Sequence, residues 1–346
     1  MQTKHRLLSA LAAGALVLTA FAHHESAENK INARADGPTA DFVDLDVRLK
    51  RMGLAPEKSA TPFVPVLTLT PGYARNPSLT PSGDSAAFLG ATLGFNYEKR
   101  DTVARTVLSD GYELGGLFFT DHEDDNNEVD QHAFVSLQGE LARTVQYRVT
   151  LSDTQIDIDY RNLLNVAAAT AEFRTSLGDN LTGGVAYTCQ IREIQLPVTN
   201  SRGDGDAYRH IPSVFLGTDP SRYNSRLPKV SLAYSYYYNL ADGADEDFAA
   251  YRLALRAVDF QLGAGLTADF DASYEDRSGE NFSSRLGGLE RRGDYLTKVN
   301  LSLNHELLSL AGSTFSLLAG YERSRSNVAS ANYHGCTYAA TLSFRF

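Results

Sequence analysis

The sequence has 346 residues, of which 43% are hydrophobic and 21% are charged, with a formal net charge of −10 and a mean hydropathy of −0.26. An acidic chain of this kind is poorly suited to wrapping nucleic acid, so we expect no nucleic-acid partner. It contains no CxxC, HExxH or GxSxG motif and no phosphate-binding glycine loop, so no common metal, hydrolase or nucleotide site is recognised.

The N-terminus has the pattern of an export signal. Residues 7–22, "LLSALAAGALVLTAFA", form the one long apolar run, follow a basic stretch at 4–6 and end on small residues. A basic start, an apolar middle and a small-residue end predict a signal peptide over residues 1–22, cleaved before His23. We therefore expect an exported mature chain without a transmembrane helix.

The mature chain begins with a polar segment, residues 23–62, that differs from all that follows. Within it, "DFVDLDVRLKRMGL" spaces four apolar residues three and four apart, namely Phe42, Leu45, Leu49 and Met52. This spacing predicts a short amphipathic helix. We expect a periplasmic segment, with a plug of the lumen or a helix formed only in a complex as the alternatives.

From Phe63 onward the apolar residues recur with a period of two, which predicts β-strands with one apolar face. Fourteen such segments can be delimited, at residues 63–74, 85–98, 106–120, 129–141, 144–156, 164–177, 180–193, 206–217, 226–239, 247–258, 263–276, 292–305, 313–324 and 333–346. Most are long enough to cross a bilayer when tilted, and an even count returns both termini to one side. The sequence predicts an all-β fold, a transmembrane antiparallel up-and-down β-barrel of about 14 strands over residues 63–346.

The connections are predicted to alternate in length. Those at 141–144, 178–180 and 311–314 are tight, whereas residues 121–128, 194–205 and 277–291 are longer and more polar. If the N-terminus is periplasmic, the long connections face outside. The acidic connection "DHEDDNNE" lacks the spacing of an EF-hand loop, so we expect a solvated loop, with loose divalent binding as the alternative.

Three features favour lipid, rather than a second sheet, as the medium that the apolar face meets. The polar face carries small residues and charges of both signs, as a wet lumen requires, and lipid-facing strands must close into a ring to pair their backbone groups. Aromatic residues cluster near strand ends as interfacial girdles do. They are Tyr73, Tyr97, Tyr112, Tyr274, Tyr321, Tyr338, Phe344 and Phe346.

The last strand resembles the sorting signal of bacterial outer-membrane barrels, which the barrel-assembly machinery recognises. Its alternating apolar residues are Tyr338, Ala340, Leu342, Phe344 and Phe346. More narrowly, "AGYERSRSNVASANYHGCTYAATLSFRF" resembles the close of the β-barrel porin 2 family, and "LTLTPGYARNPSL" is similar to that family's opening strand. The resemblance covers residues 63–346 and implies a porin of the bacterial outer membrane, surrounded by outer-membrane lipid and lipopolysaccharide.

The inward positions of the predicted strands carry charges of both signs. The candidate pore-lining residues are Glu113, Glu140, Arg148, Glu172, Arg174, Arg192, Arg252, Arg256, Asp269, Asp271, Lys298 and Glu322. A hairpin turn at residues 259–262 would place Arg252 across from Asp269 and could bring Asp271 beside Lys298. Such charges could form a selectivity lining, or their pairs could fill and rigidify the lumen. A lining with both signs predicts no strong ion preference.

The two cysteines are predicted to be free thiols. Cys189 lies on the seventh strand and Cys336 on the fourteenth, hence on opposite walls of a ring of fourteen and too far apart for a disulfide. The histidines are scattered, and none has a Ser or Asp at a spacing typical of catalysis. We therefore predict no catalytic residue, no metal site and no cofactor.

The leading functional prediction is a porin-like channel for passive diffusion of small hydrophilic solutes, without enzymatic activity. The main alternative is a plugged barrel that serves polysaccharide or protein export or anchors the envelope. An outer-membrane hydrolase is the third possibility.

Overall fold

The computed structural model describes residues 63–75, 85–101, 104–120, 127–142, 144–158, 161–194, 206–218, 227–244, 246–283, 286, 288–307 and 313–345. The predicted signal peptide, the segment 23–62, most of the acidic connection at 121–128 and Phe346 lie outside these residues. Among the described residues, no helix is long and apolar enough to cross a membrane.

Fourteen antiparallel strands form one closed barrel, which confirms the predicted fold class. Each strand pairs with its neighbours in sequence, and β1 pairs with β14 to close the ring. The strands are β1 (Phe63–Arg75), β2 (Ser85–Asp101), β3 (Thr106–Phe119), β4 (Glu128–Ala142), β5 (Val145–Ile158), β6 (Arg161–Ser176), β7 (Leu181–Ile194), β8 (Ala207–Thr218), β9 (Lys229–Ala241), β10 (Phe248–Gly263), β11 (Leu266–Phe282), β12 (Arg291–Leu307), β13 (Ser313–Ser326) and β14 (Tyr333–Arg345).

Alternation of side chains gives each strand an outer and an inner face. On β9, Leu232 and Tyr234 point outward and are exposed, whereas Ser235 and Tyr237 point inward and are buried. The same parity runs around the ring because neighbouring strands pair like face with like face. The exposed large hydrophobic side chains of the strands therefore cover the outside of the barrel.

The closure between β1 and β14 is sealed on the inner face by hydroxyl pairs. Thr68 Oγ1 lies 3.1 Å from Ser343 Oγ, and Thr70 Oγ1 lies 3.2 Å from Thr341 Oγ1. On the outer face, Leu67 lies opposite Phe344. The polar inner face and the apolar outer face are therefore both continuous across the β1–β14 closure.

The barrel has two different rims. The loop rim is the end at which odd-numbered strands finish, and the turn rim is the end at which even-numbered strands finish. Most connections between strands at the loop rim are longer than those at the turn rim. There are two exceptions: only two residues separate β5 from β6 at the loop rim, and ten residues, 219–228, separate β8 from β9. The long connection predicted at 277–291 is wrong in extent, because β11 continues to Phe282 and β12 begins at Arg291.

Aromatic side chains border the apolar outer face at both rims. Near the loop rim they are Tyr73, Tyr251, Tyr295, Tyr321 and Tyr338, and near the turn rim they are Phe63, Tyr97, Phe260, Phe315 and Phe344. Phe63 and Tyr73 lie ten residues apart on β1. At about 3.4 Å per residue and a tilt of about 40°, this separates the two aromatic borders by roughly 25 Å.

The hairpin between β10 and β11 turns later than the sequence predicted. Ala264 and Gly265, with φ of 52° and 74°, form a two-residue turn, and Asp259, with φ of 63°, marks a bulge before it. Two adjacent residues with positive φ match the strand twist in a tight hairpin. This turn, rather than one at 259–262, sets the register of the inner face.

Candidate functional site

The inner face of the barrel is the candidate site. All twelve predicted pore-lining residues occupy the inward parity of their strands, because the period-two pattern fixes the face of each. They are Glu113 on β3, Glu140 on β4, Arg148 on β5, Glu172 and Arg174 on β6, Arg192 on β7, Arg252 and Arg256 on β10, Asp269 and Asp271 on β11, Lys298 on β12 and Glu322 on β13. Their role in conduction stays a prediction.

One polar network crosses the wall from β4 to β8. Arg148 Nη2 donates to Gln138 Oε1 at 3.1 Å and lies opposite Glu172. Glu172 is 1% exposed and forms an ion pair with Arg174, whose guanidinium carbon lies 5.5 Å from the Phe215 ring centroid. Charges of both signs are thus ordered and neutralised on this part of the wall.

A second group, which we call the arginine–aromatic cluster, consists of Arg209, Tyr237, Phe248, Glu275 and Arg277. The Arg209 guanidinium carbon lies 5.4 Å from the Tyr237 ring centroid and 5.5 Å from that of Phe248. Arg277 also contacts Phe248: its guanidinium carbon lies 5.2 Å from the Phe248 ring centroid. The Arg277 side chain forms an ion pair with Glu275. Contacts between guanidinium groups and aromatic faces stabilise such an arrangement when water is excluded.

The arginine–aromatic cluster does not follow from the strand pattern of the sequence, for two reasons. The parity of β8 is obscured by Pro212, which points outward, so Arg209 was not assigned to a face. Arg277 was placed in a connection, although the alternation of Glu275, Arg277 and Gly279 continues the inward parity of β11. That continued alternation is the signal that could have found it.

The cluster is joined to the loop rim by hydrogen bonds and ion pairs. Arg209 Nε donates to Asn239 Oδ1 at 2.7 Å, and Asn239 Nδ2 donates to the Glu246 carbonyl at 2.7 Å. The Glu246 carboxylate lies 3.7 Å from Arg292 Nη1, and Arg292 Nε lies 2.9 Å from Asp294 Oδ2. These contacts tie the connection between β9 and β10 to the inner wall.

The wall from β11 to β14 carries a third group of polar contacts, each between two or three side chains. Asn304 Nδ2 donates to Asp269 Oδ2 at 3.0 Å, and Asn300 Nδ2 donates to Asp271 Oδ1 at 2.9 Å. Lys298 Nζ lies 3.3 Å from Glu322 Oε2, and Tyr333 Oη donates to Glu322 Oε1 at 2.7 Å. The acidic residues of this wall are therefore held by amide and ammonium donors.

The predicted pair Arg252–Asp269 is wrong. Because the hairpin turns at Ala264, Arg252 lies opposite Glu275, and its Nη2 donates to Ser273 Oγ at 3.3 Å. Asp271 lies directly opposite Arg256 on one side and Asn300 on the other. Lys298 is the next inward residue of β12 after Asn300, so it is a diagonal neighbour of Asp271 and not its direct partner.

The remaining inward charges differ in burial. Glu140 lies at the turn rim, where its Oε2 is 3.2 Å from Arg105 Nη1 and both side chains are well exposed. Glu113 and Arg192 are buried. In the described ranges, no three His, Cys, Asp or Glu side chains group as metal ligands.

Both cysteines point outward, Cys189 from β7 and Cys336 from β14. These strands lie on opposite sides of the closed ring, and neither thiol is in a disulfide. The predicted free thiols and their opposite placement are confirmed.

The alternating residues of the proposed sorting strand lie on the outer face of β14. Tyr338, Ala340, Leu342 and Phe344 follow one another on the outward parity, and Tyr338 is exposed. The recognition of this strand by an assembly machinery stays a prediction.

No family model matches the chain, and no curated protein matches it, so the resemblance to the β-barrel porin 2 family is not confirmed. Among solved structures, the chain is similar to an anion-selective porin from Comamonas acidovorans, with 10% identity, a TM-score of 0.46, and 82% of this chain and 98% of that chain covered. It is also similar to OccAB1 from Acinetobacter baumannii (7% identity, TM-score 0.44, 84% and 99% covered) and to OprD from Pseudomonas aeruginosa (10%, 0.40, 82% and 95%). Similarities at this level carry no argument about the function of this chain.

Proposed function

We propose that this protein is a channel of the bacterial outer membrane for passive diffusion of small hydrophilic solutes. The observation that carries the proposal is the contrast between the two faces of the closed barrel. The outer face is apolar and bordered by aromatic residues at both rims, whereas the inner face carries paired charges and amides.

The outer face supports a membrane location because exposing its apolar side chains to water would be unfavourable. Long exposed side chains such as Leu93, Leu151 and Leu253 point outward from widely separated strands. Contiguous apolar surface on this scale is rare on soluble monomers, and closed barrels are the sheet structure that spans lipid. The signal peptide expected at residues 1–22 and assembly by the barrel-assembly machinery belong to the same proposal.

The inner face supports solute diffusion with weak charge preference. Fourteen strands enclose a bore between the filled lumen of eight-stranded barrels and the aqueous channel of 16-stranded porins. The lining alternates carboxylates with guanidinium and ammonium groups, as at Glu172 and Arg174 or at Lys298 and Glu322. Neutral and weakly charged hydrophilic molecules are the solutes that such a lining admits best.

A second candidate function is a barrel whose lumen is plugged, serving polysaccharide or protein export or envelope anchoring. The observation that favours it is the burial of inward polar side chains, since Glu172 and Arg209 are each only 1% exposed and Gln190 is fully buried. An open, water-filled bore would leave more of these side chains accessible.

Planar-bilayer conductance of the mature protein tests both candidates, measured with and without residues 23–62. A diffusion channel is expected to conduct in both forms, with cation and anion permeabilities within about threefold of each other. A plugged barrel conducts only after the deletion. Silence of both forms, in preparations that stay folded by heat-dependent gel mobility, would refute the channel.

A further inference from the structure

Five basic side chains lie side by side on the outer face at the loop rim, on four adjacent strands around the β1–β14 closure. We call them the basic rim segment, which consists of Arg75 on β1, Arg291 on β12, Arg323 and Arg325 on β13, and His334 on β14. All five are exposed and occupy the outward parity of their strands. None of them faces the lumen, so the proposed channel does not use them.

The same order of side chains occurs on each of these four strands. From the middle of the barrel toward the loop rim, apolar residues are followed by one tyrosine and then by a basic residue. The tyrosine and basic residues are Tyr73 and Arg75 on β1, Tyr295 and Arg291 on β12, Tyr321 with Arg323 and Arg325 on β13, and Tyr338 and His334 on β14. Tyrosines of this kind mark the level of lipid headgroups, so the basic groups lie at or just above that level.

The charge of the basic rim segment is local and opposes that of the whole chain. Among the described residues of β12, β13, β14 and β1, no Asp or Glu has the outward parity. Elsewhere the same rim carries outward carboxylates, including Asp153 and Asp157 on β5 and Glu193 on β7. The nearest outward carboxylates, Asp276 and Glu280 on β11, border the segment beside β12. In a chain of net charge −10, this separation makes one sector of the rim selectively attractive to anions.

The backbone beneath the segment is fixed by side-chain hydrogen bonds. Asn327 Nδ2 donates to the Arg291 carbonyl at 2.8 Å, and the Gly293 amide donates to Asn327 Oδ1 at 2.9 Å. The Ser326 amide, next to Arg325, donates to Asn332 Oδ1 at 2.9 Å. Arg323 lies opposite His334 in the β13–β14 register, so the basic groups are held on a rigid sheet edge.

We infer that the basic rim segment binds the phosphate groups of lipopolysaccharide, the phosphorylated glycolipid of the outer leaflet. Guanidinium groups bind phosphate oxygens through paired hydrogen bonds, and the tyrosines below them suit the junction of acyl chains and headgroups. Lipopolysaccharide is favoured over anionic phospholipid because the loop rim faces outward in the proposed orientation. The inference rests on the proposed function for that orientation.

The test is a binding titration of the full mature protein in a non-ionic detergent with bis-phosphorylated lipid A, followed by native mass spectrometry. The variant R75Q/R323Q/R325Q removes three charges from exposed positions. Each guanidinium near an anionic lipid surface contributes about fivefold in affinity, so the variant is expected to bind roughly 100-fold more weakly. Lipid A without phosphates is expected to bind the unmodified protein as weakly as the variant binds the phosphorylated form.

Two matched variants keep the result interpretable. K99Q/R100Q/K229Q controls for total charge: it removes three positive charges from exposed side chains at the turn rim, of which Lys99 points outward and Arg100 and Lys229 form ion pairs with Glu98 and Asp259. It is expected to leave lipid A affinity unchanged within about twofold. R75K/R323K/R325K keeps the charge of the basic rim segment and is expected to lose less than about tenfold. Equal loss in the turn-rim variant, equal binding of dephosphorylated lipid A, or tighter binding of phosphatidylglycerol would each overturn the inference. The bilayer conductance of R75Q/R323Q/R325Q is expected to match that of the unmodified protein, so a failure of lipid A binding leaves the channel proposal standing.

Discussion

The outer and inner faces of the same fourteen strands follow different rules. On the outer face, a side chain needs to be apolar but does not need a specific neighbouring residue. Leu232, Leu253 and Leu317 are all similarly exposed, and each contacts whatever medium surrounds the barrel. On the inner face, the partner is decisive, because Glu172, Arg209 and Glu275 are almost fully buried and each is paired with a specific group.

The outer face therefore tolerates exchange among apolar residues and rejects charge, whereas the inner face tolerates charge only where an opposite charge or a hydrogen-bond partner lies beside it. The inner face itself is graded. Glu172 is buried beside Arg148 and Arg174, but Glu140, one inward position closer to the turn rim, shares its charge with Arg105 in contact with solvent.

The largest effect is expected from the substitution E172Q. Removing the charge breaks the ion pair with Arg174 and takes away the carboxylate opposite Arg148, and breaking a buried pair in this way lowers the free energy of unfolding by about 3 kcal/mol. The measurement is urea unfolding in lipid vesicles followed by circular dichroism, since the chain has no Trp.

E140Q is the matched control, because it makes the same change on the same face. Its ion pair with Arg105 has side chains 40% and 69% exposed, and exposed pairs contribute at most about 1 kcal/mol. Equal destabilisation by E172Q and E140Q would contradict the graded inner face.

A smaller effect is expected from L317R, which places a charge on the outer face between Phe315 and Tyr321. An arginine at this depth in lipid lowers the free energy of unfolding by about 2–4 kcal/mol at the midplane and less toward the rims. We therefore expect about 2 kcal/mol in the vesicle unfolding experiment.

S316R is its control, one residue away on the inner face, where Ser316 lies opposite Asn304 and Thr341. It is expected to change stability by less than about 1 kcal/mol and to lower conductance by narrowing the bore. If S316R destabilises the barrel as much as L317R does, the assignment of the two faces is wrong.

The two faces also differ in how far they could be predicted from the sequence. The outer face and the strand count follow from the period-two alternation, which predicts Cys189 and Cys336 on opposite walls, and the structure confirms this placement. The inner residues were assigned to the right face by the same rule. The alternation assigns each residue to a face, but it does not specify which residue of the neighbouring strand lies opposite.

Inner partners could not be predicted because they depend on register, and register depends on where each hairpin turns. The strand pattern predicts a turn at residues 259–262, but the chain forms a bulge at Asp259, whose φ is positive, and turns at Ala264 and Gly265. A turn that is displaced by a few residues moves every partner along the strand. Arg252 therefore lies opposite Glu275, six residues from Asp269 along β11.

The smallest effect is expected from a double-mutant cycle between Lys298 and Glu322. Their charged atoms are 3.3 Å apart and their side chains are partly exposed, so K298Q and E322Q are expected to show a coupling of about 0.5–1 kcal/mol that decreases in 1 M KCl.

The cycle R252Q with D269N is the control, because it tests the pair that the sequence favoured and the structure separates. Six residues of strand place Asp269 roughly 20 Å from the position opposite Arg252, so the expected coupling is within error of zero. A coupling for Arg252 and Asp269 as large as that for Lys298 and Glu322 would show that β10 and β11 pair in the earlier register. The inner residues of β10 and β11 would then have different cross-strand partners, whereas the same residues would still lie on the outer face.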